Sequence, residues 1–296
     1  MQSFMSLFAY GVLEIAGYKR KVGNPKRMAK YMDSLAVKNR KRNKKQLPIK
    51  AREEQLGNAQ IFHINEQENP DTLVVYLHGG GYCEPPLIFH WQWVAQLPKH
   101  TGAQVDMFLY PRAPEHQFDE TYELLEQYYK DLLKKVSPDK IVFMGDSSGG
   151  GLSLGFAEHL VKLGLPQPRE LILFSPWMDI RTDYPDLPKK LDRWDPNLQA
   201  DGLKVFAKAW AGGTDLTDYR LSPILGSFEG VAKTTAFYGT HEIICLDIDA
   251  FEKKARAEGL DLHMEIFKNM NHVFPFFPTP EAQIAKYMVY HMLGGK

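Results

Sequence analysis

Three observations predict an α/β fold, with a mostly parallel central sheet carrying helices on both faces. From about Ala59 onward, short runs rich in β-branched and aromatic residues alternate with helix-like stretches, the order that lays strands side by side with helical crossovers. The 296 residues are 44% apolar and 12% aromatic, enough for one substantial core and too apolar for a disordered chain. A glycine-rich corner, GDSSGGG at 145–151, stands between the strand-like KIVFM and a helical stretch. In such folds ligands bind at the carboxyl ends of the strands, which is where this corner falls.

Taken in order, AQIFHI (59–64), TLVVYLH (72–78) and AQVDMFLY (103–110) read as strands bounded by turn residues. DETYELLEQYYKDLLKKV (119–136) reads as a helix, because Leu124, Leu125, Tyr128, Leu132 and Leu133 recur at helical spacing. KIVFM (140–144) is the strand that enters the corner, and 148–162 is the helix that leaves it. ELILFSPW (170–177), TTAFYG (234–239) and LDLHMEIF (260–267) supply later strands. Helices over DIDAFEKKARAEG (247–259) and PEAQIAKYMVYHML (280–293) separate or close them.

Two segments stand outside the alternation. Residues 1–50 carry 13 Lys and Arg against Glu14 and Asp33, a net of +11, offset by −11 over the rest of a chain with zero formal charge. Residues 181–218 form an insertion rich in Pro, Asp and Trp with one short helical piece, of a length more typical of a lid than of a plain connection. The expected organisation is a cap segment at 1–50 and a catalytic body at 51–296 that is interrupted by a cap insertion at about 181–218. Phe4, Phe8, Trp194, Phe206 and Trp210 in these pieces either line a pocket or pack the cap.

The overall charge balance gives no reason to expect nucleic acid, and KNRKRNKK has no binding module around it. The basic segment reads as a solvated or cap-forming helix, with weak contact to an anionic membrane surface as the alternative. The chain starts without a basic leader, so no secretory signal is read, and its first apolar stretch is too short and interrupted to span a bilayer. Cys83 and Cys245 lie far apart and in no metal-ligand spacing, which fits a reducing cytoplasm. Nothing in the sequence speaks to oligomeric state.

The corner itself has two readings. A glycine-rich strand-to-helix turn can cradle a phosphate, but no Lys-Ser or Lys-Thr closes this one and its glycines are not spaced G-x-G-x-x-G. Gly145 and Gly149 instead bracket Ser147 in the G-x-S-x-G spacing that exposes a nucleophile on a tight elbow. A serine needs a base to take its proton and a third group to orient that base. The partners should follow in the order acid, then histidine. His272 fits best, in the turn-like NMNHVFPFF between the last strand and the final helix. His63 and His263 fall in strands, while His159 and His291 fall on helices. Glu242 comes first after TTAFYG and is the preferred acid; Asp247 is the reserve, since it and Asp249 read as the start of the next helix. The glycines of LHGGGY (77–82) leave backbone N–H groups unobstructed. Those of Gly80 and Gly81, with that of Ser148, would hold a developing oxyanion while Gly79 shapes the loop.

From about Leu73 to His272, the segments HGGGY, YPRAPEH, GDSSGGG, LFSPWMD, GTHEI and NHVF together resemble the hormone-sensitive-lipase-like branch of the α/β-hydrolases. The resemblance implies carboxylic ester hydrolysis with neither metal nor organic cofactor, beneath a cap built from the N-terminal segment and an insertion, and a lid of this size suggests short to medium acyl chains. Two features depart from the family pattern: Glu242 stands where the family most often has Asp, and Pro111 stiffens YPRAPEH. Hydrolysis of an N-acyl or N-formyl amide on the same site, or non-catalytic binding of a small molecule, are the alternative readings.

Overall fold

The computed structural model describes residues 19, 23–39, 45–182, 191 and 195–295. Its sheet comprises β1 (Ala51–Leu56), β2 (Ala59–Ile64), β3 (Leu73–Leu77), β4 (Gln104–Leu109), β5 (Ile141–Asp146), β6 (Glu170–Phe174), β7 (Thr234–His241) and β8 (Leu262–Asn271). The spatial order is β1-β2-β4-β3-β5-β6-β7-β8. The β1–β2 and β2–β4 pairs are antiparallel, and every other neighbouring pair is parallel. Helices α1 (Pro25–Asn39), α2 (Ile88–Thr101), α3 (Phe118–Leu132), α4 (Ser148–Lys162), α5 (Ala200–Ala211), α6 (Ile248–Glu258) and α7 (Pro280–Met292) surround it.

The two-residue period of a strand divides the core. Leu73, Val75 and Leu77 of β3 and Ile141 and Phe143 of β5 pack toward α3, α4 and α6. Val74, Tyr76, Val142 and Met144 pack toward α2 and α7 on the opposite face. With both faces covered, the central parallel strands need apolar residues at every position, which is why they read as unbroken apolar runs. Helix α1 joins the first of these cores through Met28, Tyr31 and Leu35, a stripe at helical spacing. The basic segment is thus helical over residues 25–39, with one face packed into the core.

Three elements differ from expectation. β1, AREEQL, is polar and exposed along most of its length. It forms as an outer hairpin arm to β2, and Gly57 supplies the positive φ of 54° for the turn. α2 carries Pro98 and three aromatic residues near its start, so its sequence lacks a clean helical signal. Burial of Trp91, Trp93, Val94 and Leu97 against the sheet holds it in place, with Gly102 closing it in the left-handed region. The sixth strand ends at Phe174 rather than running through SPW, because Ser175 turns the chain at φ 44°. Cys83 and Cys245 are free thiols. No helix among the described residues is long and apolar enough to cross a membrane.

Candidate active site

The corner after β5 is built from backbone. Ser147 sits at φ 50° and ψ −121°, immediately before α4, a strained conformation for a side-chain-bearing residue that must be held from outside. Its N–H donates to the Phe174 carbonyl at 2.8 Å, and its own carbonyl accepts from Gly151 at 3.0 Å and Trp177 at 2.9 Å. The chain passes so close to β3 that a Cβ on Gly149 would lie 2.1 Å from the Leu77 carbonyl oxygen. Only glycine fits there, which accounts for the G-x-S-x-G spacing physically.

Three loops converge on that corner. Nε2 of His272, just after β8, lies 2.9 Å from Ser147 Oγ, although the two residues are 125 apart in sequence. Nδ1 of the same ring lies 2.5 Å from Glu242 Oε2, at the end of β7. A carboxylate only accepts, so Nδ1 carries the proton and Nε2 presents its lone pair to the serine hydroxyl. The other carboxylate oxygen of Glu242 accepts from the Gly239 N–H at 2.7 Å and the Ser175 hydroxyl at 2.9 Å. Ser175 Oγ in turn accepts from Val273 N–H at 3.1 Å, which ties the acid's loop to the histidine's. Burial by itself would lower the His272 pKa. The hydrogen bond and charge of Glu242, helped by Asp195 and Asp146, outweigh it and hold the imidazole above its ordinary value. Asp247, the reserve acid, lies at the junction with α6 as expected of a helix start, and the carboxylate on the His272 ring is that of Glu242.

The loop after β3 forms the second wall. Gly80 and Gly81 line the same cavity as Ser147, at φ 123° and 58°. Ser148 opens α4, where first-turn N–H groups have no acceptor within the helix, and its hydroxyl accepts from Tyr82 N–H at 3.2 Å. Asp146, which the sequence reading passed over, organises this loop. One of its oxygens accepts from Tyr76 Oη at 2.5 Å and Gly79 N–H at 3.0 Å. The other faces His90 Nε2 at 3.2 Å. His90 Nδ1 already accepts from Leu87 N–H, so Nε2 is the donor. Burial opposes ionisation of Asp146, but His90, Tyr76 and the Gly79 amide overcome it and hold the carboxyl below its ordinary range. His78 is pushed down to about 3 by burial and by nearby Arg112 and His90. It is therefore neutral, and its Nδ1–H donates to the Gly79 carbonyl at 2.7 Å. Asp146 was within reach of sequence reasoning as the residue preceding the serine, whereas Tyr76 and His90 carried no signal.

The cavity beside Ser147 measures about 310 Å³. Phe206 and Leu203 of α5, with Leu198 ahead of it, form its apolar side, so the insertion does contribute a pocket wall. Trp210 instead packs the insertion against the loop after β3, stacking on Tyr82 with centroids 4.6 Å apart. Phe4, Phe8 and Trp194 lie outside the described residues, as does most of KNRKRNKK.

Residues 74–276 match the α/β hydrolase fold family. The chain belongs to the α/β-hydrolase fold family. The mostly parallel sheet with helices on both faces, expected from the sequence, is found in the structure. Among sequence relatives of this α/β hydrolase, an esterase of Acinetobacter venetianus is 28% identical over 226 residues, spanning 75% of this chain and 74% of the relative. An acetyl-hydrolase of Streptomyces hygroscopicus is 28% identical over 223 residues, again 75% of this chain and 74% of the relative. The crystal structure of a proposed esterase from Staphylococcus aureus superposes with a TM-score of 0.86 at 30% identity, covering 92% of this chain and 94% of that one. These relatives accord with a carboxylic ester hydrolase.

Proposed function

We propose that this α/β hydrolase is a serine carboxylesterase of the hormone-sensitive-lipase-like branch, acting on esters with short to medium acyl chains. The observation that carries the reading is the relay from Ser147 Oγ through both nitrogens of His272 to Glu242 Oε2, at 2.9 and 2.5 Å. His272 takes the serine proton as Oγ attacks the ester carbonyl, and Glu242 stabilises the imidazolium and keeps the ring in the useful tautomer. The amides of Gly80, Gly81 and Ser148 receive the oxyanion. His272 then returns the proton to the departing alcohol, and a water repeats the sequence to release the acid. The basis for short to medium chains is the cavity of about 310 Å³, at the small end of ligand pockets, which run from about 300 to 1,000 Å³. The aromatic wall of Phe206 and Phe277 favours apolar acyl groups over charged ones.

The cap in this reading has two pieces, residues 1–50 and about 181–218, over a body at 51–296. Support comes from α1 packing into the body's core and α5 closing over Gly81, where a Cβ would meet Phe206 at 2.6 Å. The basic N-terminal segment is read as part of this cap, with weak contact to an anionic membrane surface as the alternative suggested by its net charge of +11 over residues 1–50. Co-sedimentation with anionic and neutral vesicles, with and without residues 1–45, tests that contact, and equal partitioning rejects it.

The deciding experiment is a panel of p-nitrophenyl esters from acetate to palmitate and matching anilides, on wild type and Ser147→Ala. Turnover should peak at short or medium esters and vanish in the variant. Preferred turnover of anilides would give the amide reading, and failure of a fluorophosphonate probe to label wild type would give the non-catalytic one.

A further inference from the structure

Where the cap insertion returns to the body, it carries a carboxylate that the hydrolytic mechanism does not use. Asp195 is fully buried. One of its oxygens accepts the amides of Asn197 and Leu198, each at 2.8 Å, closing a turn within the insertion. The other accepts the amide of Ile243 at 2.8 Å, the residue immediately after Glu242. The neighbouring Asn197 side chain donates to the His272 carbonyl at 3.2 Å, and Asn197 and Leu198 both line the substrate cavity. The N-terminal segment reaches the same point, where Lys19 Nζ donates to the Asp195 carbonyl at 2.8 Å. A buried carboxylate is costly unless its lone pairs are met, and here three backbone amides from two separate segments meet them.

We propose that Asp195 is a positioning residue that clasps the cap insertion to the acid's loop, so that one buried group sets both the pocket wall at Asn197–Leu198 and the aim of the Glu242 carboxylate. The clasp works through backbone. Fixing the Ile243 amide fixes the peptide that leads out of Glu242, and with it the oxygen that faces His272 Nδ1. The charge has a second effect. Asp195 looks onto His272 from the insertion side, with Asp146 at the elbow, Glu242 and Cys245 on the loop after β7 and Lys19 on the N-terminal segment as the other ionisable neighbours. Burial pushes its carboxyl up to about 6, against the pull of His272 and the three amides. Three amide donors on its two oxygens fit the ionised form, which supports the protonated imidazole.

The inference rests on the triad assigned above, and the two fail differently. Turnover surviving in Ser147→Ala would overturn the triad, whereas a dead Ser147→Ala beside a fully normal Asp195 variant would overturn the clasp alone. Asp195→Asn is the discriminating substitution. Its remaining oxygen can still accept from Asn197 and Leu198, but its NH2 faces the Ile243 N–H, donor against donor. The variant should lose kcat by about tenfold or more, within the hundredfold that a displacement of about 1 Å can cost. Because a negative charge beside His272 is gone, the acid limb of its kcat/KM profile should move to lower pH. The Ile243 amide should exchange with solvent faster than in wild type. Wild-type kcat, or a loss that leaves the acid limb in place, would overturn the proposal. Ile243→Pro removes the same hydrogen bond from the other end while keeping the charge. Glu242 is extended there, at φ −140° and ψ 145°, as a residue before proline prefers. This second variant should lose kcat with its acid limb unmoved, and normal turnover in it would overturn the clasp equally.

Discussion

Replacing Glu242 by Gln tests the relay at its most sensitive joint. The carboxylate's two oxygens have different partners: Oε2 faces His272 Nδ1 at 2.5 Å, and Oε1 accepts from Gly239 N–H at 2.7 Å and Ser175 Oγ at 2.9 Å. The amide NH2 cannot turn toward Gly239 without setting donor against donor, so it is driven onto Nδ1. A donor there forces the imidazole proton to Nε2, the wrong tautomer for accepting the serine proton. In other Ser-His-acid enzymes that error costs about 10⁴ in kcat, equivalent to about 5.4 kcal/mol at 1.36 kcal/mol per tenfold. The lost charge also removes the main influences raising the His272 pKa, so whatever activity remains should show an acid limb at lower pH. Glu242→Asp keeps the charge but draws it back by a methylene, and should cost about a hundredfold. The assay is single-turnover acylation with p-nitrophenyl butyrate, alongside thermal unfolding to establish that the variants are folded. A folded Glu242→Gln protein within tenfold of wild type would refute the assignment.

In wild type, His272 must be neutral to act, and its pKa is raised, so the acid limb of kcat/KM should have its midpoint above the ordinary histidine value of about 6.5; a midpoint below it would contradict the Glu242 contact. Gly149→Ala places a methyl 2.1 Å from the Leu77 carbonyl oxygen and 2.7 Å from that of His78, both backbone atoms that cannot yield locally. It should cost at least about 3 kcal/mol, and a wild-type urea midpoint would show the elbow to be looser than described. Burial pushes the Glu158 carboxyl up to about 9, so the folded protein holds a proton there that the unfolded chain releases near its ordinary value. That stabilisation is complete at low pH and is lost as pH rises toward 9, by up to about 1.4 kcal/mol per unit. Glu158→Gln should flatten the decline of Tm with pH over that range, and an unchanged slope would place the titration elsewhere.

How much of the site could be read in advance depended on whether the constraint was local. The elbow was legible because the close pass of Gly149 against Leu77 permits no side chain, and a steric prohibition leaves its trace at one position. His272 and Glu242 were legible as candidates because chain order and strand ends narrow the choice among ten histidines. Asp146, Ser175 and Asp195 escaped notice because an acidic or hydroxyl side chain is unremarkable until its partners are known. The partners that reveal them, Tyr76, Val273 and Ile243, lie between 48 and 98 residues away. Strand β1 and helix α2 were missed for a related reason: neither carries its own periodic signal, and each is held by what it packs against.

The sequence by itself determined the alternation of elements, the tight elbow, and the types and order along the chain of the side chains proposed for catalysis. These follow from local sterics and from apolar spacing, which one segment can carry alone. The tertiary structure alone decided which carboxylate faces the imidazole, how Asp146 braces the glycine loop, and where the insertion is fastened. Each of those is a hydrogen bond between distant segments, whose geometry comes into being only when the sheet brings their ends together.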